Sequence, residues 1–410
     1  MQFSQIPDQK EVKEKLTDLV NNNRLSHALL FLGKEGSGAL PMAIAFAQFI
    51  LCERNQSAGK EKAPSLFGDE EPSETIIYTD SCGVCPTCAK VNKLIHPDLH
   101  FSYPALKRDA RHDKVLSTDY AAPWREFIEE APFGNVSDWI DFLKGNAKSK
   151  IESPANKQGN IGVNECEDIL RKFSLKAFEN KYKILIMWMP EYLGAMGNKL
   201  LKLIEEPPPD TLFIFVAEEE GRILPTILSR TQLIKIPLFN HKAVCKTLLK
   251  NDDISEDKAS QVATLAEGNM REALLLAQNS EEDWHDLLKA WLNVSYKNSV
   301  STLLPLLDEM NKLGREKQKQ FLKYFIQLTR QAILLQYLPF EKTSGMPEKE
   351  MELAANINKL CGMEAKEAII EEMEKATYYI ERNANARMLF HALSIRLHYI
   401  IKDKSLILVQ

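Results

Sequence analysis

An apolar run that ends in a glycine-rich turn and continues into a second apolar stretch limits the fold of this chain most. Residues 26–33 read SHALLFLG, residues 33–40 read GKEGSGAL, and residues 41–53 read PMAIAFAQFILCE. The first run has the length of a strand. The last has the length of a helix, and Pro41 falls in its first turn, where proline is tolerated. The pattern predicts a strand, a tight turn and a helix in succession.

Strand and helix patterns alternate through residue 239. Four further strands are predicted: HPDLHFSYP (96–104), YKILIMWM (182–189), TLFIFVAEE (211–219) and TQLIKIPLF (231–239). Continuous apolar runs of this length are typical of strands covered on both faces of a parallel sheet. A helix is predicted over 161–180, with Asn164 as its N-cap. Beyond residue 240 only amphipathic helical patterns remain, so the sequence predicts an α/β domain with a doubly wound parallel sheet, followed by helical domains.

Two segments interrupt this alternation. Residues 53–76 are polar and weakly patterned, and they are predicted to form a flexible insertion. Residues 105–157 carry mixed charge, with short helices predicted near WREFIEEA and VSDWIDFLKG, and they form a second insertion without a clear period.

Charge and hydropathy exclude several classes of protein. The net charge of -5 argues against a free-standing, non-specific DNA-binding protein, which is usually strongly basic. The chain has no apolar stretch of about 18 residues, so no membrane-spanning helix is predicted. Its first residues, MQFSQIPDQKEVKEKL, lack the basic and apolar regions of a secretory signal. These features predict a cytoplasmic protein with no membrane partner.

The glycine-rich turn has only part of a phosphate-binding loop. Such a loop needs glycines for close backbone approach, a lysine for the phosphate charge and a Ser or Thr hydroxyl for Mg²⁺. Gly33, Gly36 and Gly38 have the required spacing, but Ala39 and Leu40 stand where the lysine and the hydroxyl belong. The alternative is a strand-to-helix turn that binds nothing, and the sequence weighs against hydrolysis and against ATP binding here.

The acidic half of such a site is also missing. In ATPases of this type, an acidic pair at the end of a buried strand places Mg²⁺ and polarises water. The candidate strand ends in Trp188 and Met189, and no carboxylate follows until Glu191. Two independent losses predict a chain that does not hydrolyse nucleotide.

A cysteine cluster predicts a metal site. Three cysteines share the stretch SCGVCPTCAK: Cys82, Cys85 and Cys88. An odd total of seven cysteines, with three in one knuckle, favours zinc over disulfides in a reducing compartment. Cys52 is the preferred fourth ligand, and His96 and His100 are alternatives.

Two arginines are candidate nucleotide-sensing residues. Arg230 follows a short helix in LSRTQ, from where it could reach a nucleotide held by a neighbouring chain, although an exposed arginine without a role is the simpler interpretation. Arg271 lies near the start of a helix in EGNMREAL, where related ATPases direct an arginine at the γ-phosphate. A surface or packing role for Arg271 is the alternative.

Taken together, these segments resemble the clamp-loader ATPase family of bacterial DNA polymerase III. The matching stretches occur in the family's order: RLSHALLFLGKEGSG, CGVCPTC with the upstream LC, IGVNECEDI, NKLLKLIEEPPPDTLFIFVAEEEGRILPTILSR, EGNMREAL and ERNANARMLFHALSIRL. The match covers about residues 1 to 285, with a weaker match near the C-terminus.

The resemblance implies three domains and assigns roles to the candidate residues. They are an AAA+ α/β domain over 1–238 with a zinc module at 52–88, a helical lid over 239–285 and an all-α collar for oligomerisation over 286–410. The family's Ser-Arg-Cys motif appears as Ser229, Arg230 and Thr231, so the arginine finger carries over to Arg230 while the cysteine does not. The resemblance also matches Cys52, Cys82, Cys85 and Cys88 to structural zinc ligands.

The function implied is that of a non-hydrolysing stator subunit within a polymerase holoenzyme. Its expected partners are motor and clamp-opening subunits in a hetero-pentamer, with the sliding clamp and primed DNA reached through the complex. Two alternatives remain. One is an active motor-type ATPase with an atypical phosphate loop. The other is a zinc-dependent nucleic-acid-binding module, which the acidic balance of the chain disfavours.

Overall fold

A computed structural model describes most of the chain in two compact units. The described residues are 1–57, 78–108, 114–149, 151, 159–250, 254–278, 284–297, 300–337, 348–382 and 384–403. The first unit comprises Met1–Asp252 with Ala266–Leu275, and the second comprises Asp253–Leu265 with Leu276–Gln410. The predicted domain boundaries after residues 238 and 285 stay predictions.

A five-stranded parallel sheet forms the centre of the first unit, which confirms the predicted α/β class. The strands are β1 (Ala28–Leu32), β2 (Leu99–Ser102), β3 (Lys183–Trp188), β4 (Thr211–Ala217) and β5 (Gln232–Lys235). Their order across the sheet is β2-β3-β4-β1-β5, and every neighbouring pair is parallel. Each of the five strands lies within a stretch predicted from the sequence.

Helices cover both faces of this sheet. The helices of the α/β region are α1 (Lys10–Asn21), α2 (Ala39–Leu51), α3 (Glu53–Ser57), α4 (Pro86–Asn92), α5 (Ala121–Glu130), α6 (Val136–Gly145), α7 (Val163–Phe173), α8 (Leu201–Glu205) and α9 (Pro225–Leu228). On one face α2 is buried along its whole length, and its Phe46 lies 6.0 Å from the ring of Phe31 in β1. On the other face α7 and α8 pack on Leu185, Phe213 and Phe215. The sheet is therefore doubly wound.

The helix predicted over 161–180 is shorter than expected. It runs from Val163 to Phe173, with Gly162 at the N-cap, so Asn164 lies in the first turn and the predicted N-cap is wrong. Beyond the helix, the Asp98 carboxylate accepts hydrogen bonds from the backbone N–H groups of Phe178, Glu179 and Asn180, at 2.5, 2.9 and 2.9 Å. These donors are taken by a distant side chain, and the helix ends before them.

The second insertion is helical where it is described. Within 105–157, residues 105–108, 114–149 and 151 are described, and they include α5 and α6. Trp124 of α5 and Trp139 of α6 are buried, with ring centroids 5.1 Å apart. Most of the first insertion, residues 58–76, lies outside the described residues.

The remaining described α-helices follow β5. They are α10 (His241–Leu248), α11 (Glu256–Leu265), α12 (Met270–Gln278), α13 (Trp284–Lys297), α14 (Val300–Lys312), α15 (Arg315–Tyr337), α16 (Glu348–Leu360), α17 (Met363–Glu381) and α18 (Ala386–His398). The core of the second unit centres on Trp291, which packs against Phe321, Phe325 and Phe390. Where the chain is described beyond residue 240, it contains no strand, as predicted. Among the described helices, none has the length and apolar character to cross a membrane.

Candidate functional site

The glycine-rich turn lies at the carboxyl edge of the sheet, where α/β proteins place their ligand sites. It joins β1 to α2, beside the ends of β3 and β4. The residues around it enclose a cavity of about 30 Å³. Sites for small molecules usually have about 300–1,000 Å³, so this cavity is too small for a nucleotide. Its lining residues are Gly33, Lys34, Gly36–Pro41, Pro132–Gly134, Trp188, Met189 and Val216–Glu218.

Packing within the chain accounts for the glycines at positions 36 and 38. Both have positive φ angles, 71° and 79°, which L-residues with side chains rarely adopt. A Cβ atom on Gly36 would overlap the Asn269 side chain, and one on Gly38 would lie 2.8 Å from Cζ of Phe239. The turn needs these glycines for its own backbone and neighbours, whether or not a phosphate ever binds.

The positions of the absent ATPase residues are filled by buried apolar side chains. Ala39 and Leu40 are 7% and 5% exposed, and Trp188 and Met189 are 3% and 5% exposed. The first carboxylate after β3, Glu191, accepts hydrogen bonds from the backbone N–H groups of Glu218 and Glu219 at 2.7 and 2.9 Å. Glu191 thus holds the chain after β4, and burial raises its pKa.

Acidic side chains surround the turn. Glu218 follows β4 and lines the cavity, and Glu35 lies in the turn itself. Burial and the nearby charges of Glu35 and Glu191 together raise the pKa of Glu218 to about 8, while Arg271 opposes the shift. A carboxyl group therefore lines the site, and the lysine with which a working loop attracts phosphates is absent.

Replacing Glu218 with glutamine should flatten the pH dependence of stability. A folded-state pKa near 8, above the value of 4.5 in the unfolded chain, means that the folded state binds more protons between these values. The contribution of Glu218 is therefore fully present below about pH 4.5 and is lost as pH rises through 8. Urea unfolding between pH 5 and pH 9 measures this effect as a smaller decline of unfolding free energy in Glu218→Gln than in wild type. Equal declines in the two proteins would contradict it.

Four cysteines form a cluster beside the amino-terminal segment. The Sγ atoms of Cys52, Cys82, Cys85 and Cys88 all lie within 4.8 Å of one another. Those of Cys82 and Cys88 are 3.8 Å apart, which equals the edge of about 3.8 Å expected for a tetrahedron with Zn–S bonds of about 2.3 Å. The donor set and its spacing fit a four-coordinate zinc ion.

Local hydrogen bonds orient these sulfurs. The backbone N–H of Cys82 donates to Sγ of Cys52, and the N–H of Cys85 donates to Sγ of Cys82, both at 3.3 Å. The hydrogen bond between the thiols of Cys52 and Cys88 lowers the pKa of Cys52 to about 4, and the same bond and burial raise the pKa of Cys88. A bound dication would hold all four as thiolates.

The alternative histidine ligands lie apart from this cluster. His96 is buried, and its Nδ1 accepts a hydrogen bond from the backbone N–H of Asp98 at 3.1 Å. His100 packs edge-on against Phe173, and burial lowers its pKa to about 4. Neither belongs to the metal-competent group among the described residues.

Arg230 lies on the surface directly after α9. One guanidinium nitrogen donates to the Thr226 carbonyl at 2.7 Å and contacts Oγ of Ser229 at 3.1 Å. Another forms an ion pair with Glu205 at the end of α8. The side chain of Arg230 is 34% exposed, so the guanidinium is held in one place and remains open to solvent.

Arg271 is buried and paired, in agreement with the packing alternative. It is 6% exposed, its Nε and a terminal nitrogen donate to Asp138 at 2.5 and 2.6 Å, and its other terminal nitrogen donates to Glu35 at 3.0 Å. Sequence reasoning missed Asp138 and the neighbouring Phe133 because both lie in the second insertion, far along the chain from the turn. The only local signal was the helical pattern of VSDWIDFLKG.

Comparison with known proteins finds relatives among DNA polymerase III subunits. The chain is 26% identical over 274 residues to DNA polymerase III subunit delta' of Bacillus subtilis, which is 67% of this chain and 60% of that protein. It is 25% identical over 308 residues to the tau subunit of the same organism, covering 73% of this chain and 41% of that protein. A delta' subunit of Haemophilus influenzae is 31% identical over 162 residues, or 38% of this chain and 48% of that protein. The chain thus spans less than two thirds of the length of these relatives.

Among solved structures, a DNA polymerase III gamma subunit-related protein of Thermotoga maritima aligns with a TM-score of 0.36 at 12% identity, over 95% of this chain and 99% of that chain. The TM-score is too low to support a structural conclusion from this neighbour. The family model described as DNA polymerase III, delta subunit, matches residues 8–240. Because that match covers more than half of the chain, the chain belongs to this family of clamp-loader subunits.

Proposed function

We propose that this chain is a non-hydrolysing subunit of a DNA polymerase III clamp loader that supplies Arg230 to the ATP site of a neighbouring motor subunit. The observation that carries the proposal is the small size of the cavity at the glycine-rich turn, whose volume is about 30 Å³. A subunit of this family without room for a nucleotide contributes to an ATPase assembly through a site on another chain.

Electrostatics at the turn support the same role. Glu218 lines the space where phosphates would lie, Glu35 lies in the turn itself, and neither the lysine nor the hydroxyl of a working loop is present. The one buried cation described there, Arg271, is already paired with two carboxylates. Phosphate charge placed at the turn would lack the lysine that a working loop supplies at position 39, which costs free energy.

The position of Arg230 supports the proposed role in trans. Its guanidinium is held at the surface by Thr226, Ser229 and Glu205, so little side-chain freedom is lost when it meets a phosphate. An arginine that contacts the γ-phosphate stabilises the charge of the transition state. Thr231, which replaces the cysteine of the family motif, donates its hydroxyl to the Leu228 carbonyl at 3.1 Å, so it supports the same turn through a polar contact.

The remaining parts of the chain have roles in assembly. The cysteine cluster would hold a structural zinc ion that ties Cys52, at the end of α2, to the knuckle before α4. The helical second unit would serve as the collar that joins the subunits of a hetero-pentamer. Through that assembly the chain would act on the sliding clamp and primed DNA in the cytoplasm.

Co-purification tests the assembly. Full-length chain mixed with the motor and clamp-opening subunits should elute as one complex in size-exclusion chromatography, with this chain at a fixed ratio to the others. Separate elution of this chain under conditions where the other subunits assemble would contradict the proposal.

A further inference from the structure

The loop between α5 and α6 covers the glycine-rich turn. Pro132, Phe133 and Gly134 line the same small cavity as Gly33, Lys34 and Gly36–Pro41. The ring of Phe133 packs edge-on against Phe239 at 5.7 Å, and a Cβ atom on Gly38 would lie 3.3 Å from the Phe133 ring. The second insertion therefore occupies space directly above the turn.

An aromatic cluster anchors this insertion to the end of β3. Trp188, the residue that stands where an ATPase would carry an acid, lies 5.3 Å from the ring of Trp124 and 6.2 Å from that of Phe127. Trp139 of α6 packs on both of these α5 rings. Large buried aromatic side chains contribute several kcal/mol each to such packing. The end of β3 thus packs against the insertion through the side chain of Trp188.

Charged contacts connect the insertion to the segment 266–275. Asp138 of α6 receives two hydrogen bonds from the guanidinium of Arg271 in the two-pronged geometry that arginine uses for carboxylates and phosphates. Asn135, at the N-cap of α6, donates from its side chain to Glu35 in the turn at 3.0 Å. The backbone N–H of Met270 donates to the Gly36 carbonyl at 3.1 Å. The turn, the insertion and the start of α12 form one connected network.

We propose that the α5–α6 insertion is an internal substitute for a nucleotide. Phe133 covers the glycine-rich turn, and the Asp138 carboxylate engages Arg271 as the oxygens of a ligand phosphate would. The segment 266–275 is thereby held on the α/β sheet in every state of the protein. This inference deepens the proposed function, because a subunit that does not cycle with ATP needs another means of holding this segment.

Amide hydrogen exchange on the isolated full-length chain tests the substitute. Asp138→Asn keeps the shape of the side chain and removes its charge, so exchange in residues 266–275 should rise by about tenfold or more, which corresponds to at least about 1.4 kcal/mol. Asp141→Asn is the matched control, since Asp141 lies on the same helix and pairs only at the surface with Lys144 at 3.4 Å. Exchange of residues 266–275 in Asp141→Asn should equal that of wild type. Equal exchange of 266–275 in the two variants overturns the proposal.

Two further measurements keep the test decisive. Arg271→Lys retains the positive charge and loses the two-pronged contact, so it should also raise exchange in 266–275, and it replaces Asp138→Asn if that variant does not fold. Millimolar ATP with Mg²⁺ should leave exchange of residues 33–41 in the wild type unchanged. Protection of 33–41 by ATP would show that Phe133 yields to a nucleotide and would overturn the proposal. Because these measurements use this chain alone, they are independent of whether Arg230 acts on a neighbour.

Discussion

An assembly that carries Arg230→Ala in this chain is expected to lose ATP turnover at the motor site that Arg230 faces, by about 10³-fold or more. The guanidinium would stabilise charge on the transferred phosphoryl group, and alanine leaves that charge uncompensated. The steady-state rate of DNA-stimulated ATP hydrolysis by the whole assembly should fall by at least the fraction of that rate that this one site contributes. The isolated variant should keep the wild-type melting temperature, since the contacts of Arg230 lie at the surface.

Matched variants separate this role from a general effect of charge. Arg222→Ala removes an exposed arginine of the same unit, paired with Glu219 at 3.8 Å, and should leave the rate unchanged. Glu205→Gln removes the carboxylate that holds Arg230 and should lower the rate less than Arg230→Ala does, because the contacts to Thr226 and Ser229 remain. If Arg230→Ala and Arg222→Ala give the same ATPase rate as wild type, Arg230 has no role in trans.

Replacing Cys85 with serine is expected to release zinc and unfold the module around the knuckle. Structural zinc sites in small domains contribute about 10–16 kcal/mol of binding free energy, and a serine hydroxyl is a poor substitute for a thiolate ligand. Purified wild-type chain should contain about one zinc ion, and Cys85→Ser should contain far less. Amide exchange of α4 should rise in the variant, and a chelator should produce the same change in the wild type.

A cysteine outside the cluster provides the control. Cys245, on α10, is half-buried and far in sequence from the knuckle, so Cys245→Ser should retain both zinc and the exchange pattern of wild type. The cluster would be a set of reduced thiols with no structural ion if the purified wild-type chain contained no metal and a chelator left its amide exchange unchanged.

The strands could be predicted from sequence because their signal is local. Runs such as ILIMW and LFIFV are apolar without interruption and have strand length, which is typical of a strand covered on both faces. The segment after α7 could not be predicted, because it is held by Asp98, a residue about 80 positions earlier that accepts hydrogen bonds from three backbone N–H groups.

The candidate site was predictable in part for the same reason. The missing lysine, hydroxyl and acids are read directly from the motif positions, and Cys82, Cys85 and Cys88 from their spacing, while Cys52 was one of three candidates for the fourth ligand. The closure of the turn was not predictable, since Phe133 and Asp138 come from an insertion without a clear period. Their partners Phe239 and Arg271 lie more than 100 residues away. Contacts of this range leave no periodic pattern in a single sequence.

The proposal is that this chain hydrolyses no ATP and completes the ATP site of a neighbouring motor subunit. Its most direct test is ATP turnover by the reconstituted assembly, measured with and without this chain. We expect that the isolated chain hydrolyses no ATP and that its addition raises the rate of DNA-stimulated ATP hydrolysis by the motor subunits. Measurable hydrolysis by the isolated chain that is abolished by Gly38→Ala, or a rate of the motor subunits that is the same without the chain, would contradict it.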